Sequence, residues 1–431
     1  MKIDIDKSFL NREISVIDFQ SSTLSNADLD NAEAKIQLVK DDSDLSYAIG
    51  MQRDALRSLL PRTNKEQEIS NSLISQIDKS SIELEVIGNW TEGGLNAFKA
   101  ALDMIASNIM NDGEITSSDY ENLFQIIMLD VLANFKEYGF SEDKRFLQFL
   151  SWGIEYTGSG QHNSWVDRLP NPDNWDGESP NGENGSINNH LVKIDNKVWE
   201  AIAKKVKNGA IPENSLTARL MKVICGTDNK ESISSTLPKN VYDNLYVKVE
   251  NGHVVGTDGY YSTKTNGWIT ENNNEMSPLM RLTLLSHLLK ENPELSKSTL
   301  DIILFSDLKT INDTFMKEYP SKADNVYDYI IKADNTAKGD LNSDGQGWQD
   351  SSLNGDSATR PNGVVISLDF NGELNIDWLN DLSSNYPKRV LGDEDIKEIN
   401  RIGDNVKMIM QTLKYWFQIL RDERVAIARN I

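Results

Sequence analysis

Cysteine and histidine are scarce in this chain of 431 residues, which has one cysteine and four histidines. Because Cys225 stands alone, no intrachain disulfide can form and no thiolate cage can hold a metal. Its apolar surroundings favour a small core residue over a nucleophile. The histidines are His162, His190, His253 and His287, and no two of them have the spacing of a metal or catalytic pair. His287 lies in an apolar helical segment, which predicts a core or interface residue.

Long apolar runs are also missing. No segment approaches the ~18 uninterrupted apolar residues of a membrane-spanning helix, so we predict no transmembrane segment. The beginning of the sequence contains aspartate and glutamate and lacks the continuous apolar core of a secretory signal peptide. These features predict a protein that either stays in the cytoplasm or leaves it by a signal-peptide-independent machine.

Positive charge is in deficit. The chain has 66 aspartates and glutamates against 44 lysines and arginines, and its formal net charge is −22. A surface of this sign repels the phosphates of nucleic acids and the headgroups of anionic lipids. We therefore expect neither nucleic acid nor an anionic membrane surface as a partner.

Recognisable catalytic motifs are absent from the sequence, including those of serine hydrolases, zinc proteases, nucleotide-binding loops and dinucleotide-binding domains. We therefore predict no catalytic residues and a non-enzymatic protein. An alternative comes from Trp165 and Trp175, which lie near aspartates in a turn-rich stretch, as in the sugar cleft of a glycoside hydrolase. Tryptophans in a long loop also dock that loop onto the body of a protein, and we favour this interpretation.

Composition and periodicity divide the chain into five regions. These are a flexible polar leader that would carry an export signal (1–44), a helical region with a helical hairpin (45–156), a turn-rich excursion (157–195), an α+β middle domain (196–390) and a C-terminal coiled-coil helix (391–431). The sequence thus predicts the α+β class, mainly helical, with antiparallel β-hairpins in the middle and a long helix at the end.

Short turn signals locate the predicted hairpins. Asn251-Gly252 and Asn371-Gly372 each stand between segments in which apolar and polar residues alternate, the strongest local signal of a β-hairpin. The turn NDGEIT predicts a connection between two helices, in which Thr116 or Ser117 caps the second helix.

The last region has the most regular pattern. After Gly392, an acidic first turn suits a helix N-terminus. The apolar positions that follow are alternately three and four residues apart: Ile399, Ile402, Val406, Ile409, Leu413, Trp416 and Leu420. This a/d pattern predicts a coiled-coil seam. We expect the seam to pack on a helix from residues 45–138, with Tyr415 and Phe417 available for a second contact.

One segment resembles part of an EF-hand calcium loop. Its oxygen-bearing residues at alternating positions are Asp340, Asn342, Asp344 and Gln346, around Gly345. Position 12 is Ser351, so the bidentate glutamate is missing. We therefore expect calcium binding to be no tighter than ~10⁻⁴–10⁻³ M, the weak extracellular class. Clusters of Asp, Asn and Gly also form turns that bind no ion, and this alternative stays open. No other cofactor is predicted.

The closing sequence DNVKMIMQTLKYWFQILRDERVAIARNI resembles the C-terminal helix of the hydrophilic translocators of type III secretion systems, the needle-tip and filament proteins. In this family a terminal amphipathic helix completes an intramolecular coiled coil and contributes to assembly on the needle. The polar leader, the early helical hairpin, the α+β middle and the terminal coiled-coil helix are also similar to the family layout. The resemblance implies a virulence protein secreted to the bacterial cell surface.

These observations lead to one expected function and two alternatives. We expect a secreted assembly protein, a needle-tip or filament component that supports delivery of translocators and effectors into host cells. Its partners would be further copies of itself, the needle, the hydrophobic translocators and the host-cell surface. The first alternative is a carbohydrate- or calcium-dependent binding protein, or a glycoside hydrolase, that uses the tryptophan-rich loops. The second is a type III effector with an unrecognised activity.

Overall fold

The structure is a computed structural model. It describes residues 64–111, 113–140, 143–159, 172, 187–245, 248–250, 253–256, 274–338, 347–350, 368–370, 374 and 376–429. The first helices are α1 (Asn64–Glu92), α2 (Gly94–Asn111), α3 (Ser117–Ala133), α4 (Lys144–Tyr156), α5 (Ile187–Lys207), α6 (Leu216–Cys225) and α7 (Lys239–Leu245). They are followed by α8 (Pro278–Glu291), α9 (Lys297–Phe305), α10 (Leu308–Glu318), α11 (Val326–Lys338), α12 (Ile376–Ser384) and α13 (Asp393–Arg429). The strands are β1 (Lys248–Glu250), β2 (His253–Gly256), β3 (Trp348–Asp350) and β4 (Leu368–Phe370).

The chain divides into two compact units. The first combines Met1–Glu92 with Leu391–Ile431 and contains α1 and α13, which pack on each other. The second is Gly93–Val390 and contains the remaining described elements. The first unit therefore joins helices that are about 300 residues apart in the sequence.

Two helices at the centre of the second unit are buried on all sides. Every residue of α3 from Glu121 to Leu132 is buried, and so is every residue of α8 from Pro278 to Leu289. Helix α3 packs on α2, α4, α6, α7, α8 and α12, while α8 packs on α2, α3, α9 and α11. A helix without a solvent-facing side must also bury its polar residues, and each of those residues needs a partner.

The start of α3 confirms the predicted turn. Thr116 is the N-cap of this helix, and its hydroxyl accepts a hydrogen bond from the backbone N–H of Asp119 at 3.3 Å. Asp119 Oδ2 in turn accepts from the backbone N–H of Thr116 at 2.8 Å, which completes a capping box. Because α2 and α3 also pack on each other, the helical pair joined by NDGEIT is present as predicted.

The predicted α+β class is wrong, because the described residues are mostly helical. The strands among them have three or four residues and pair only two by two, β1 with β2 and β3 with β4. Pairs of this size have no broad apolar face on which helices can pack. The antiparallel hairpins expected in the middle domain therefore do not form a sheet layer, and α-helices build the core instead.

The hairpin predicted around Asn371-Gly372 is wrong for a specific reason. Strand β4 pairs with β3, about twenty residues earlier, so that Phe370 lies opposite Trp348. The rings of Trp348, Phe370 and Trp378 pack edge to face, with centroids 5.3–5.8 Å apart. Residues 376–378 of the expected second strand belong to α12, where helical spacing buries Leu379 and Leu382. Packing of α12 on α2, α3 and α4 thus overrides the alternating pattern.

Asp130 connects α3 to two other parts of the second unit. Its Oδ2 accepts hydrogen bonds from the Thr217 N–H at 3.1 Å, the Thr217 hydroxyl at 2.6 Å and the Tyr138 hydroxyl at 3.0 Å. Thr217 is the second residue of α6, so Asp130 satisfies an N-terminal amide of that helix from outside. Burial raises the pKa of the Asp130 carboxyl, and the hydrogen bonds from Thr217 and Tyr138 oppose this rise.

We predict that Asp130→Ala lowers the free energy of unfolding by about 3 kcal/mol, because buried donors on Thr217 and Tyr138 lose their acceptor. The matched control is Asp103→Ala, which removes a half-exposed ion pair with Arg219, also on α6. That change should cost no more than about 1 kcal/mol. Urea unfolding of the three proteins measures the difference, and equal losses from the two substitutions would contradict the role of Asp130.

Candidate functional site: a buried carboxyl pair beside the central helix

Two successive turns of α3 place polar side chains against residues 157–159, the chain segment that follows α4. Glu121 Oε1 accepts a hydrogen bond from the Gly158 N–H at 3.0 Å. Asn122 Oδ1 accepts from the Ser159 N–H at 2.9 Å, and its amide nitrogen donates to the Ser159 hydroxyl at 2.8 Å. The backbone N–H groups of Gly158 and Ser159 thus have side chains of α3 as acceptors, in place of other backbone groups.

Gln125 links this segment to two helices. Its amide nitrogen donates to the carbonyl of Ile154 at 2.9 Å and also to the carbonyl of Thr157. Its Oε1 accepts from the Leu279 N–H, in the first turn of α8, at 3.0 Å. Gly158 has φ +110°, and a Cβ there would lie 2.7 Å from the Gln125 amide nitrogen, so only glycine fits this approach.

Asp195, on α5, lies next to this group. Its side chain is fully buried, and a Cβ built on Gly153 of α4 would lie 3.1 Å from Asp195 Oδ1. Glycine at 153 therefore makes room for the carboxyl. Among the described residues, neither oxygen of Asp195 has a hydrogen-bond partner. Trp199, one turn further along α5, packs its ring on Phe124 of α3 with centroids 5.8 Å apart.

Burial dominates the electrostatics of this pair. Removal from water raises the pKa of Glu121 to about 8, and the hydrogen bond from Gly158 opposes the rise only in part. Burial also raises the pKa of Asp195 well above its ordinary value, and repulsion from Glu121 raises it further. Burial therefore favours the protonated form of both carboxyls, which we call the carboxyl pair. Because both side chains are fully buried, neither carboxyl can contact a substrate in this arrangement.

A buried histidine and a buried aspartate lie close together at α8. His287 Nε2 is 3.3 Å from Asp334 Oδ1 on α11, and both side chains are buried. The other oxygen of Asp334 accepts a hydrogen bond from the Trp348 N–H, in β3, at 3.2 Å. His287 is thus the core residue that the sequence predicted, and it connects α8 to α11 and β3. Residue His162 and the side chains of His190 and His253 lie outside the part that the structure describes.

The predicted coiled-coil seam lies on α13, which packs on α1 as expected for a partner within residues 45–138. Four seam residues are buried: Ile402, Val406, Ile409 and Leu413. Ile399 and Trp416 are half-buried, and the side chain of Leu420 lies outside the described set. An ion pair from Arg401 to Glu83, 2.7 Å long, joins the two helices beside the seam.

Several predicted site residues lie outside the described residues. These are the calcium candidates Asp340, Asn342, Asp344 and Gln346 and the tryptophans Trp165 and Trp175. Weak calcium binding and the sugar-cleft alternative therefore stay predictions. Within the described ranges, no group of three or more His, Cys, Asp or Glu side chains is placed to hold a metal ion.

Sequence reasoning missed Glu121 and Asp195, although both leave a signal. Asp195 stands three residues after Val192 and four before Trp199, on the apolar side of α5, where a carboxylate is out of place. Helix α3 has apolar residues on every side, which leaves no solvent-facing position for Glu121 or Gln125. A charged residue therefore predicts a buried polar group when it lies on the apolar side of a helix. The same holds for a charged residue in a helix that has apolar residues on every side.

Comparisons with known proteins leave the family open. No protein-family model, curated protein or solved structure matches this chain.

Among the helices that the structure describes, none is both long enough and apolar enough to cross a membrane, as the sequence predicted.

We predict that Leu413→Ala lowers the free energy of unfolding of the first unit by about 2–5 kcal/mol, because it leaves a cavity in the α1–α13 contact. Met408→Ala is the matched control on the same helix, since Met408 is 53% exposed. Thermal unfolding should show a large shift for Leu413→Ala and almost none for Met408→Ala. Similar small shifts from both would show that the seam does not hold the two helices together.

Proposed function

We propose that the protein is a secreted, non-enzymatic assembly protein, a needle-tip or filament component of a type III secretion system. The observation that supports this proposal is the two-sided character of α13. This helix has 37 residues and a length of about 55 Å, and one side of it packs on α1. The other side carries exposed apolar and basic residues that are spaced for contact with a second protein.

The exposed side of α13 has a heptad pattern of its own. Met408 and Tyr415 are seven residues apart and are 53% and 66% exposed. Three basic residues are also seven residues apart from one to the next, and all three are exposed: Lys407, Lys414 and Arg421. Residues seven apart lie on one side of a helix, about 10 Å from each other along its axis. We call these five residues the outer strip.

The chemistry of the outer strip indicates the kind of partner. A single exposed apolar residue is ordinary on a protein surface, whereas a repeated pair beside a row of cations is typical of a binding surface. The strip is basic on a chain with net charge −22. It therefore suits a partner that presents apolar and acidic side chains, and electrostatic attraction would speed the encounter. Needle subunits, translocators and further copies of this chain are the proposed partners.

Tyr415→Asp tests this function. We expect it to abolish assembly at the cell surface and delivery of downstream proteins, because it places a negative charge in the outer strip. Stability should change by no more than about 0.5 kcal/mol, since the side chain is exposed. The control is Ile82→Asp on α1, which is 52% exposed and lies outside the strip. Normal delivery with Tyr415→Asp would contradict the assembly role and favour the effector alternative.

Export is tested by fractionation of bacteria grown under secretion-inducing conditions. The full-length protein should appear uncleaved outside wild-type cells and remain inside cells that lack the secretion machine. Retention in the cytoplasm of both strains would overturn the proposed function.

A further inference from the structure

A row of exposed residues on α13 repeats every seven positions. Met408 and Tyr415 of the outer strip belong to it and are 53% and 66% exposed. Arg401 and Asp422 continue the spacing at either end, and both are exposed. Arg401, Met408 and Tyr415 each directly precede a residue of the seam, and one residue turns a helix by about 100°. The four residues, which we call the 401–422 row, therefore lie on a different side of α13 from its contact with α1.

The order of side chains in the 401–422 row is self-complementary. A cation, Arg401, begins the row, an anion, Asp422, ends it, and Met408 and Tyr415 lie between them. The middle of the row coincides to within one residue with Gln411, the middle residue of α13. A second α13 in antiparallel orientation, aligned on this middle, brings Arg401 beside Asp422 and Met408 beside Tyr415. Two-fold symmetry repeats each of these two contacts.

Charge favours the antiparallel over the parallel orientation. In a parallel pair Arg401 faces the Arg401 of the second copy and Asp422 faces its Asp422, and like charges repel. The two halves of α13 also differ in charge. Up to Gln411 the helix has five acidic and three basic residues, and after it four basic and two acidic residues. An antiparallel partner places each acidic half on a basic half, and it also sets the two helix dipoles in opposite directions.

The side chains of the row are suited to these contacts. Arg401 binds Glu398 through Nε at 2.9 Å and Glu83 through Nη2 at 2.7 Å. A guanidinium has five N–H donors, so Arg401 can bind a further carboxylate while it keeps both ion pairs. The thioether of Met408 packs favourably on an aromatic ring, and Tyr415 supplies one.

We propose that two copies of this chain form an antiparallel dimer through the 401–422 row of α13. Each copy contributes Met408 and Tyr415 to an apolar centre, and an ion pair between Arg401 and Asp422 closes each end. The dimer uses part of the outer strip and therefore rests on the proposed function, in which further copies of this chain are one class of partner.

Sedimentation of the purified full chain tests the dimer, with two variants of equal charge change. Asp422→Arg places a cation beside Arg401 at both ends of the dimer, so the dissociation constant should rise by about tenfold. Glu114→Arg, at an exposed position in the second unit, should leave it unchanged. A monomeric wild-type protein, or equal dissociation constants for Asp422→Arg and the wild type, would overturn the proposal.

Disulfide formation tests the orientation, in a Cys225→Ser background that removes the one cysteine. Gln411→Cys places the two thiols at the middle of the dimer, within reach of each other. Gln418→Cys lies on the same side seven residues later and places them about 20 Å apart in an antiparallel pair, beyond the reach of a disulfide. Under mild oxidation we expect a cross-linked dimer from Gln411→Cys alone. Cross-linking of both variants, of neither, or of Gln418→Cys alone overturns the proposal.

Failure of the dimer can be distinguished from failure of the proposed function, because the dimer is measured with purified protein and export with bacteria. A monomer in sedimentation, together with normal export and with delivery that is lost in Tyr415→Asp, overturns the dimer alone. Retention of the protein in the cytoplasm of both strains overturns the proposed function, whereas sedimentation and cross-linking still decide the dimer.

Discussion

The amide of Gln125 is the interaction on which the second unit depends most. From the middle of α3 it binds the carbonyls of Ile154 and Thr157 and the N–H of Leu279. It therefore fixes the end of α4 and the start of α8 on one helix. Because Gln125 is fully buried, water cannot replace any of these bonds. Glu121 and Asn122 extend the same arrangement to Gly158 and Ser159.

The two units are stabilised by different kinds of interaction. In the first, α1 and α13 bury an apolar seam, and polar interactions such as the Arg401–Glu83 ion pair lie beside it. In the second, α3 and α8 are buried on all sides, so their polar residues must find partners within the core. The first arrangement leaves Met408 and Tyr415 of α13 exposed. The second concentrates titratable groups in the interior, where burial changes their pKa values.

Helix positions could be predicted from the sequence where the local pattern of residues determines the structure. The acidic first turn and the heptad spacing located α13, and the capping residue Thr116 located the start of α3. Prediction failed where contacts between residues far apart in the sequence determine the structure. Residues 376–378 end the alternating segment ELNIDW, which predicted a strand, yet they begin α12, whose Leu379 and Leu382 are buried and which packs on three other helices. Glu121 and Asp195 are 74 residues apart in sequence, and no local pattern shows that they share one buried site.

Amide hydrogen exchange of Leu279 in the Gln125→Leu variant tests the central role of Gln125 most directly. Leucine fills a similar volume but cannot accept the Leu279 N–H or donate to Ile154 and Thr157. The account predicts that the amide of Leu279 loses much of its protection in this variant. An exposed change on the first unit, Gln411→Leu, should leave it unaltered. Full protection of Leu279 in Gln125→Leu would contradict the claim that this one amide joins α3, α4 and α8.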